Sequence, residues 1–234
     1  MAAFIKKGSA EDFESVLKVY GKAVAAKAKQ RKKKEGESLE AMDKWMQEEL
    51  PSSVASRSPP HLTQSELVRL VKWKLARGKF RPRLVEFAAS NEEELVKKVT
   101  GESLKVAEKC KKGKEEEALK ILVKLKGIGP ATASAILAVC CPKRYCFHAD
   151  EVARAALGLT PSTSLRYTLD EYMGVLEGVC ACVSRLNAET SGDEWTPHRV
   201  ELALWSYCVL EENSPDLLPS ISSTSPPPLK KRKN

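Results

Sequence analysis

The sequence predicts an all-α fold, on three observations. Apolar residues recur three and four positions apart along nearly the whole chain, the spacing of one helix face. Helix-start signatures, a Ser or Thr followed three residues later by Asp or Glu, open several of these stripes at Ser9, Thr63 and Thr168. No segment alternates apolar and polar residues as a half-buried strand does, and no internal repeat is present.

The first stripe is Phe13, Val16, Leu17, Tyr20 and Val24, with Ser9 and Asp12 as its cap. Leu39, Met42, Trp45 and Met46 predict a second helix that ends near Pro51. Residues 51–61 are rich in Ser and Pro and read as a loop. The box Thr63-Gln64-Ser65-Glu66 opens a helix through Leu67, Leu70, Val71 and Leu75, with Gly78 as its C-terminal cap. Arg81-Pro82 starts a short helix through Phe87, and Ser90 to Glu93 caps the next. Two further helices carry Ala118, Leu119, Leu122 and Leu125, then Ala133, Ile136, Leu137 and Val139. A short helix begins near Asp150 and stops before Gly158. Thr168 to Glu171 caps a long helix, and Thr196-Pro197 opens the last. The expected organisation is therefore partly basic N-terminal helices over 1–50, a loop over 51–62, a helical domain over 63–212 and a disordered basic tail over 213–234.

Composition narrows the partners. A chain of 234 residues with 42% hydrophobic and 30% charged residues is ordinary for a globular protein and long enough for a sizeable core. Its formal net charge of +8 favours a polyanion. The charge is clustered at Lys29 and Arg31–Lys34, and along Arg69, Lys72, Lys74, Arg77, Lys79, Arg81 and Arg83, where no acid falls between Leu67 and Val85. A third cluster, Lys230, Lys231, Arg232 and Lys233, fits a nuclear import signal or a solubility tail. No apolar run reads as a signal peptide or a bilayer span, so no membrane partner is expected. The seven cysteines are irregularly spaced and the histidines at 61, 148 and 198 are scattered. Reduced thiols acting as small hydrophobes are expected, with no metal and no cofactor.

One motif carries chemistry. In Lys126-Gly127-Ile128-Gly129-Pro130 a tight turn joins two helices. A helix start offers orphan N–H donors and the positive end of the dipole, and glycine lets a phosphate come close to the backbone. Lys126 adds charge, and Thr132 lies on the first turn of the second helix. The bland alternative is a plain helix–helix turn.

Beyond that helix come Pro142, a loop with Tyr145, Phe147 and His148, then Asp150 and Arg154. A helical hairpin over 118–140 followed by this order resembles the helix-hairpin-helix DNA glycosylase superfamily. The run Asp150-Glu151-Val152-Ala153-Arg154 looks closest to its alkylbase branch, and the chain is most similar to the Amun-like nuclear proteins within it. The similarity covers residues 115–157. It implies a helix-hairpin-helix glycosylase fold, a nuclear location, duplex DNA as partner and a monomeric protein acting in base excision repair. It also implies residue roles. Asp150 would be the catalytic carboxylate, and Tyr145, Phe147 and His148 would line the base pocket. Lys126, Gly127, Ile128, Gly129 and Thr132 would hold DNA, with Arg81 and Arg83 from the basic run. Members that cleave the strand carry a lysine where this chain has Ala131, so a monofunctional glycosylase without lyase chemistry is implied. Cys180, Cys182 and Cys208 do not reproduce the superfamily's iron–sulfur spacing. The alternatives are a non-catalytic DNA-binding or adaptor protein with the same fold, and a helical interaction scaffold in which Asp150 is only a helix-start residue.

Overall fold

The computed structural model describes residues 2–30, 36–79, 81, 83–111, 113–160 and 162–221. Most of the first basic cluster (Arg31–Lys34), Phe80, Pro82 and the Lys230–Lys233 cluster lie outside them. The described residues are helical and contain no strand. In chain order the helices are α1 Ala2–Lys7, α2 Ala10–Leu17, α3 Tyr20–Lys29, α4 Leu39–Lys44, α5 Leu50–Ala55, α6 Gln64–Arg77, α7 Leu84–Ala89, α8 Glu93–Lys109, α9 Glu116–Leu122, α10 Pro130–Cys140, α11 Asp150–Leu157, α12 Leu169–Thr190 and α13 Pro197–Asn213.

The caps form where the sequence places them. Ser9 and Asp12, and Thr63 and Glu66, make reciprocal capping boxes, and Thr168 accepts from the Glu171 N–H. Three boundaries differ from expectation. Pro51 does not end the second helix, because a π-helical stretch over Trp45–Glu49 widens the turn and leads into α5 with the proline in its first turn. The loop thus starts after Ala55 rather than at Pro51. Ser90 does not cap the start of α8: it closes α7, its hydroxyl turned back to the Phe87 carbonyl, and α8 starts from Glu92. The Glu93 carboxylate instead accepts from the Gln64 N–H at 2.8 Å, tying α8 to the start of α6. The short helix begins at Leu84 rather than Arg81, after Arg83 takes a left-handed conformation with φ 64°.

One continuous apolar core runs from Phe4 and Phe13 to Leu210 and Ile221. The N-terminal helices belong to it: α2 and α3 pack on α13, and α1 on α11. The N-terminal helices and the helices from α6 to α13 therefore share a core. Helix α10 lies at its centre against α5, α6 and α9, with every residue from Ala131 to Val139 buried. An apolar surface all round a helix is the mark of a buried one. That burial fixes the turn leading into α10.

Candidate functional site

The turn between α9 and α10 is built from both sides. Gly127 has φ +77°, and a Cβ there would stand 2.8 Å from the Phe87 Cβ and 3.1 Å from the Ala88 nitrogen. Only glycine meets both demands. The buried Asn91 side chain accepts from the Lys126 N–H at 2.9 Å and donates to the Lys126 carbonyl at 3.0 Å, which clamps the turn to the end of α7. Gly129 differs. Its φ of −95° suits any residue, and a Cβ there would meet nothing within 4 Å. Ile128 is buried and anchors the turn, whereas Lys126 is exposed. The Thr132 N–H turns back to the Gly129 carbonyl at 2.9 Å, so the helix start spends one of its free donors internally, while the Ala133 N–H makes the first regular helix bond to the same oxygen at 2.9 Å.

Beside this turn lies a cavity of about 380 Å³. Gly127, Gly129, Pro130, Ala131 and Thr132 form one wall, and Phe147, His148, Ala149 and Asp150 another. Helix α6 and the segment after it contribute Lys74, Arg77, Lys79 and Arg81, and Glu151, Tyr167 and Trp205 also line it.

Asp150 is the first residue of α11, where the helix dipole favours a negative charge. Its carboxylate is half-buried. Oδ1 accepts from the Tyr167 hydroxyl at 2.8 Å, while Oδ2 lies 3.3 Å from Lys79 Nζ and 3.8 Å from an Arg154 nitrogen. Tyr167 sits in the loop before α12 with φ 55°, and the Glu171 carboxylate fixes that strained backbone by accepting from the Arg166 and Tyr167 N–H groups at 2.8 and 3.0 Å. Burial, then its bond to Asp150, raises the Tyr167 phenol to about 12, so it acts as a donor.

Lys74 Nζ donates to Thr132 Oγ1 at 3.0 Å across 58 residues of sequence. Burial, then the Arg81 cation, lowers the Lys74 ammonium to about 8, with Asp150 opposing. His148 is 1% exposed, and its backbone N–H donates to Ser134 Oγ on α10 at 3.0 Å. Its Nε2 stands 3.4 Å from Glu171 Oε1 but off the line of a hydrogen bond, and neither ring nitrogen has a hydrogen-bond partner among the described residues. Burial lowers its pKa to about 4 against the pull of Glu171 and Asp150, so the ring is neutral at pH 7.

Of the expected site residues, Gly127, Gly129, Thr132, Arg81, Phe147, His148 and Asp150 meet around this one cavity. Tyr145 does not: it is fully buried, with its hydroxyl 3.3 Å from the Glu115 carbonyl and 3.5 Å from Cys110 Sγ, away from the lining. Arg83 is exposed outside the cavity, over the Phe87 ring. Sequence reasoning missed Tyr167 entirely and gave Lys74 and Lys79 no role beyond the basic run. Among the described residues, no group of three or more His, Cys, Asp or Glu is placed to hold a metal ion, and no helix is long and apolar enough to cross a membrane.

No protein-family model matches this chain, and no curated protein or solved structure is similar to it.

Proposed function

We propose that the protein is a DNA-binding member of the helix-hairpin-helix glycosylase superfamily and that the cavity receives one nucleotide swung out of a duplex. On this reading it is a monofunctional N-glycosylase that removes a damaged base in the nucleus. The observation that carries the proposal is the single cavity walled by the glycine turn on one side and Asp150 on the other. Its volume lies within the range of small-molecule sites. Gly129 leaves open space on the turn's outer side, where a sugar-phosphate backbone can approach, and the Gly129 and Ala131 N–H groups take no part in the turn bonds described above. Lys79, Arg81 and Lys126 supply positive charge near that path. Phe147 and the neutral His148 back the cavity wall, with both His148 ring nitrogens buried.

Cleavage of the base–sugar bond builds positive charge at C1′. The Asp150 carboxylate stabilises that charge and orients the attacking water, while Tyr167 holds the carboxylate in place. The test is base release from duplexes carrying alkylated and oxidised bases. The wild type should release at least one lesion, and Asp150→Asn should lower its rate by about a hundredfold, equivalent to about 3 kcal/mol. Failure of the wild type on every lesion ends the enzymatic reading.

One observation favours a second reading. Both Asp150 oxygens are engaged by Tyr167, Lys79 and Arg154, as in a structural ion cluster. A non-catalytic nuclear DNA-binding or adaptor protein would keep the turn and bind duplexes as well with Asp150→Asn as without it.

A further inference from the structure

Among the described residues, four cationic side chains line the cavity, Lys74, Arg77, Lys79 and Arg81, against two carboxylates, Asp150 and Glu151. Both carboxylates already hold cations. Asp150 lies 3.3 Å from Lys79, and Glu151 lies 3.3 Å from Lys27 of α3. Lys74 donates instead to a neutral hydroxyl, that of Thr132. We propose that the cavity selects a neutral base that leaves as an anion, of the carbonyl-rich kind with an acidic N–H, and turns away bases made cationic by alkylation. The proposal rests on the nucleotide-receiving reading above and runs against the alkylated bases that the alkylbase resemblance implies.

The aromatic wall supports it first. A cation is held by a ring face that lies open to it within about 6 Å. Here each such ring already carries a guanidinium. Arg77 lies 4.1 Å from the Trp205 ring centre and 5.5 Å from that of Phe147, and Arg81 lies 5.7 Å from that of Tyr167. A cationic base therefore meets rings that are taken and side chains that repel it.

The wall's own bases respond in the same sense. Burial is the largest cause that lowers Lys74 to about 8 and His148 to about 4. A neighbouring cation adds to it in each case, Arg81 for Lys74 and Lys74 for His148, while Asp150 opposes in both. A wall that weakens the cationic form of its own bases disfavours a cationic guest for the same reasons.

The chemistry of departure agrees. When the C1′–N bond breaks, both its electrons go to the base and the sugar becomes the cation. A cationic alkylated base then leaves neutral, whereas a neutral base leaves as an anion. The Lys74 ammonium and Arg81 stabilise that anion, as Asp150 stabilises the sugar. Water adds to C1′ through its oxygen and gives up a proton, which goes to the base anion, so atoms and charge balance.

The experiment measures the affinity of the full chain for short duplexes holding one lesion on an uncleavable 2′-fluoro sugar. One lesion is xanthine, which is acidic and forms an anion; the other is cationic N7-methylguanine; a tetrahydrofuran duplex is the baseless reference. The wild type should bind the xanthine duplex about tenfold more tightly than the N7-methylguanine duplex, or better. Lys74→Met and Lys74→Gln should each cut that ratio about fivefold while tetrahydrofuran affinity stays within about threefold. Lys126→Ala, a change outside the lining, should weaken all three duplexes alike. Equal affinity for the two lesions, or tighter binding of N7-methylguanine, overturns the inference and leaves the nucleotide-receiving reading standing. An unchanged ratio in the folded Lys74 variants also overturns it, because the cations of the wall then do not set the preference. A wild type that binds neither lesion duplex better than an intact one overturns both readings together.

Discussion

Two charge clusters meet the same cavity, and they are built on opposite terms. On the inner side Arg77 and Glu201 pair at 2.6 Å with side chains 1% and 0% exposed. The Arg77 guanidinium lies 4.1 Å from the Trp205 ring centre and 5.2 Å from that of Trp73, and two of its nitrogens have no hydrogen-bond partner among the described residues. On the outer side Lys79, Asp150 and Tyr167 are half-buried or exposed and joined by contacts of 2.8 and 3.3 Å, and the half-buried Lys74 donates to Thr132 at 3.0 Å. The inner pair is sealed by aromatic rings and holds α6 to α13. The outer groups keep contact with space that a ligand can enter. The contrast teaches that a charge here is structural where its partner is equally buried, and available for chemistry where its partner is a phenol, a hydroxyl or a solvated lysine.

Breaking the inner pair has the largest expected effect. Arg77→Met strands a buried carboxylate and should destabilise the fold by about 3–5 kcal/mol, read as a lowered midpoint in denaturant unfolding. Adding Glu201→Leu should recover much of that loss, because the unpaired charge is then gone. If Arg77→Met alone is neutral, the two clusters do not differ as described.

His148 sits between the clusters and gives a pH test. Its folded pKa of about 4 is below the ordinary 6.5, so the unfolded chain binds the proton first as pH falls. The stability tied to the neutral ring is fully present above pH 6.5 and is lost down to about pH 4, a change of about 3 kcal/mol over that window. Denaturant midpoints measured from pH 7 to pH 4 should fall less for His148→Gln than for wild type. Equal slopes would show that the fold does not lower the His148 pKa.

The two glycines of the turn divide along the same line with smaller effects. Gly127→Ala forces a side chain into a positive-φ site 2.8 Å from Phe87 and should cost about 1–3 kcal/mol of stability. Gly129→Ala meets nothing and should stay within about 0.5 kcal/mol of wild type, yet weaken duplex binding by crowding the open side. Thermal unfolding beside a binding titration separates the two. A Gly129→Ala protein that binds DNA as well as wild type would make the open side of the turn irrelevant.

Much of the fold was legible because helix starts are local. The Ser9, Thr63 and Thr168 caps need only residues three apart, and the stripes from Phe13 to Tyr207 need only one helix face. Pro51 misled because a π turn absorbs it, and such a turn leaves no mark in apolar spacing. The site was legible where one segment carried it, as with Gly127, Gly129, His148 and Asp150. It was hidden where the chain returns from afar. Lys74 read as one charge in a basic run, and only the packing of α6 on α10 brings it to Thr132. Tyr167 lies in a loop with no periodicity, and its left-handed backbone depends on Glu171, four residues on. Asn91 clamps a turn 35 residues away, which no local pattern announces.

The central claim is that the glycine turn and Asp150 form one site for an extruded nucleotide. Fluorescence anisotropy with two short duplexes, one intact and one holding a single tetrahydrofuran site, tests it most directly. The account predicts tighter binding to the tetrahydrofuran duplex, weakening of both as salt rises, and loss of the preference in Gly129→Ala. Equal affinity for the two duplexes, or no binding to either at low salt, would contradict it.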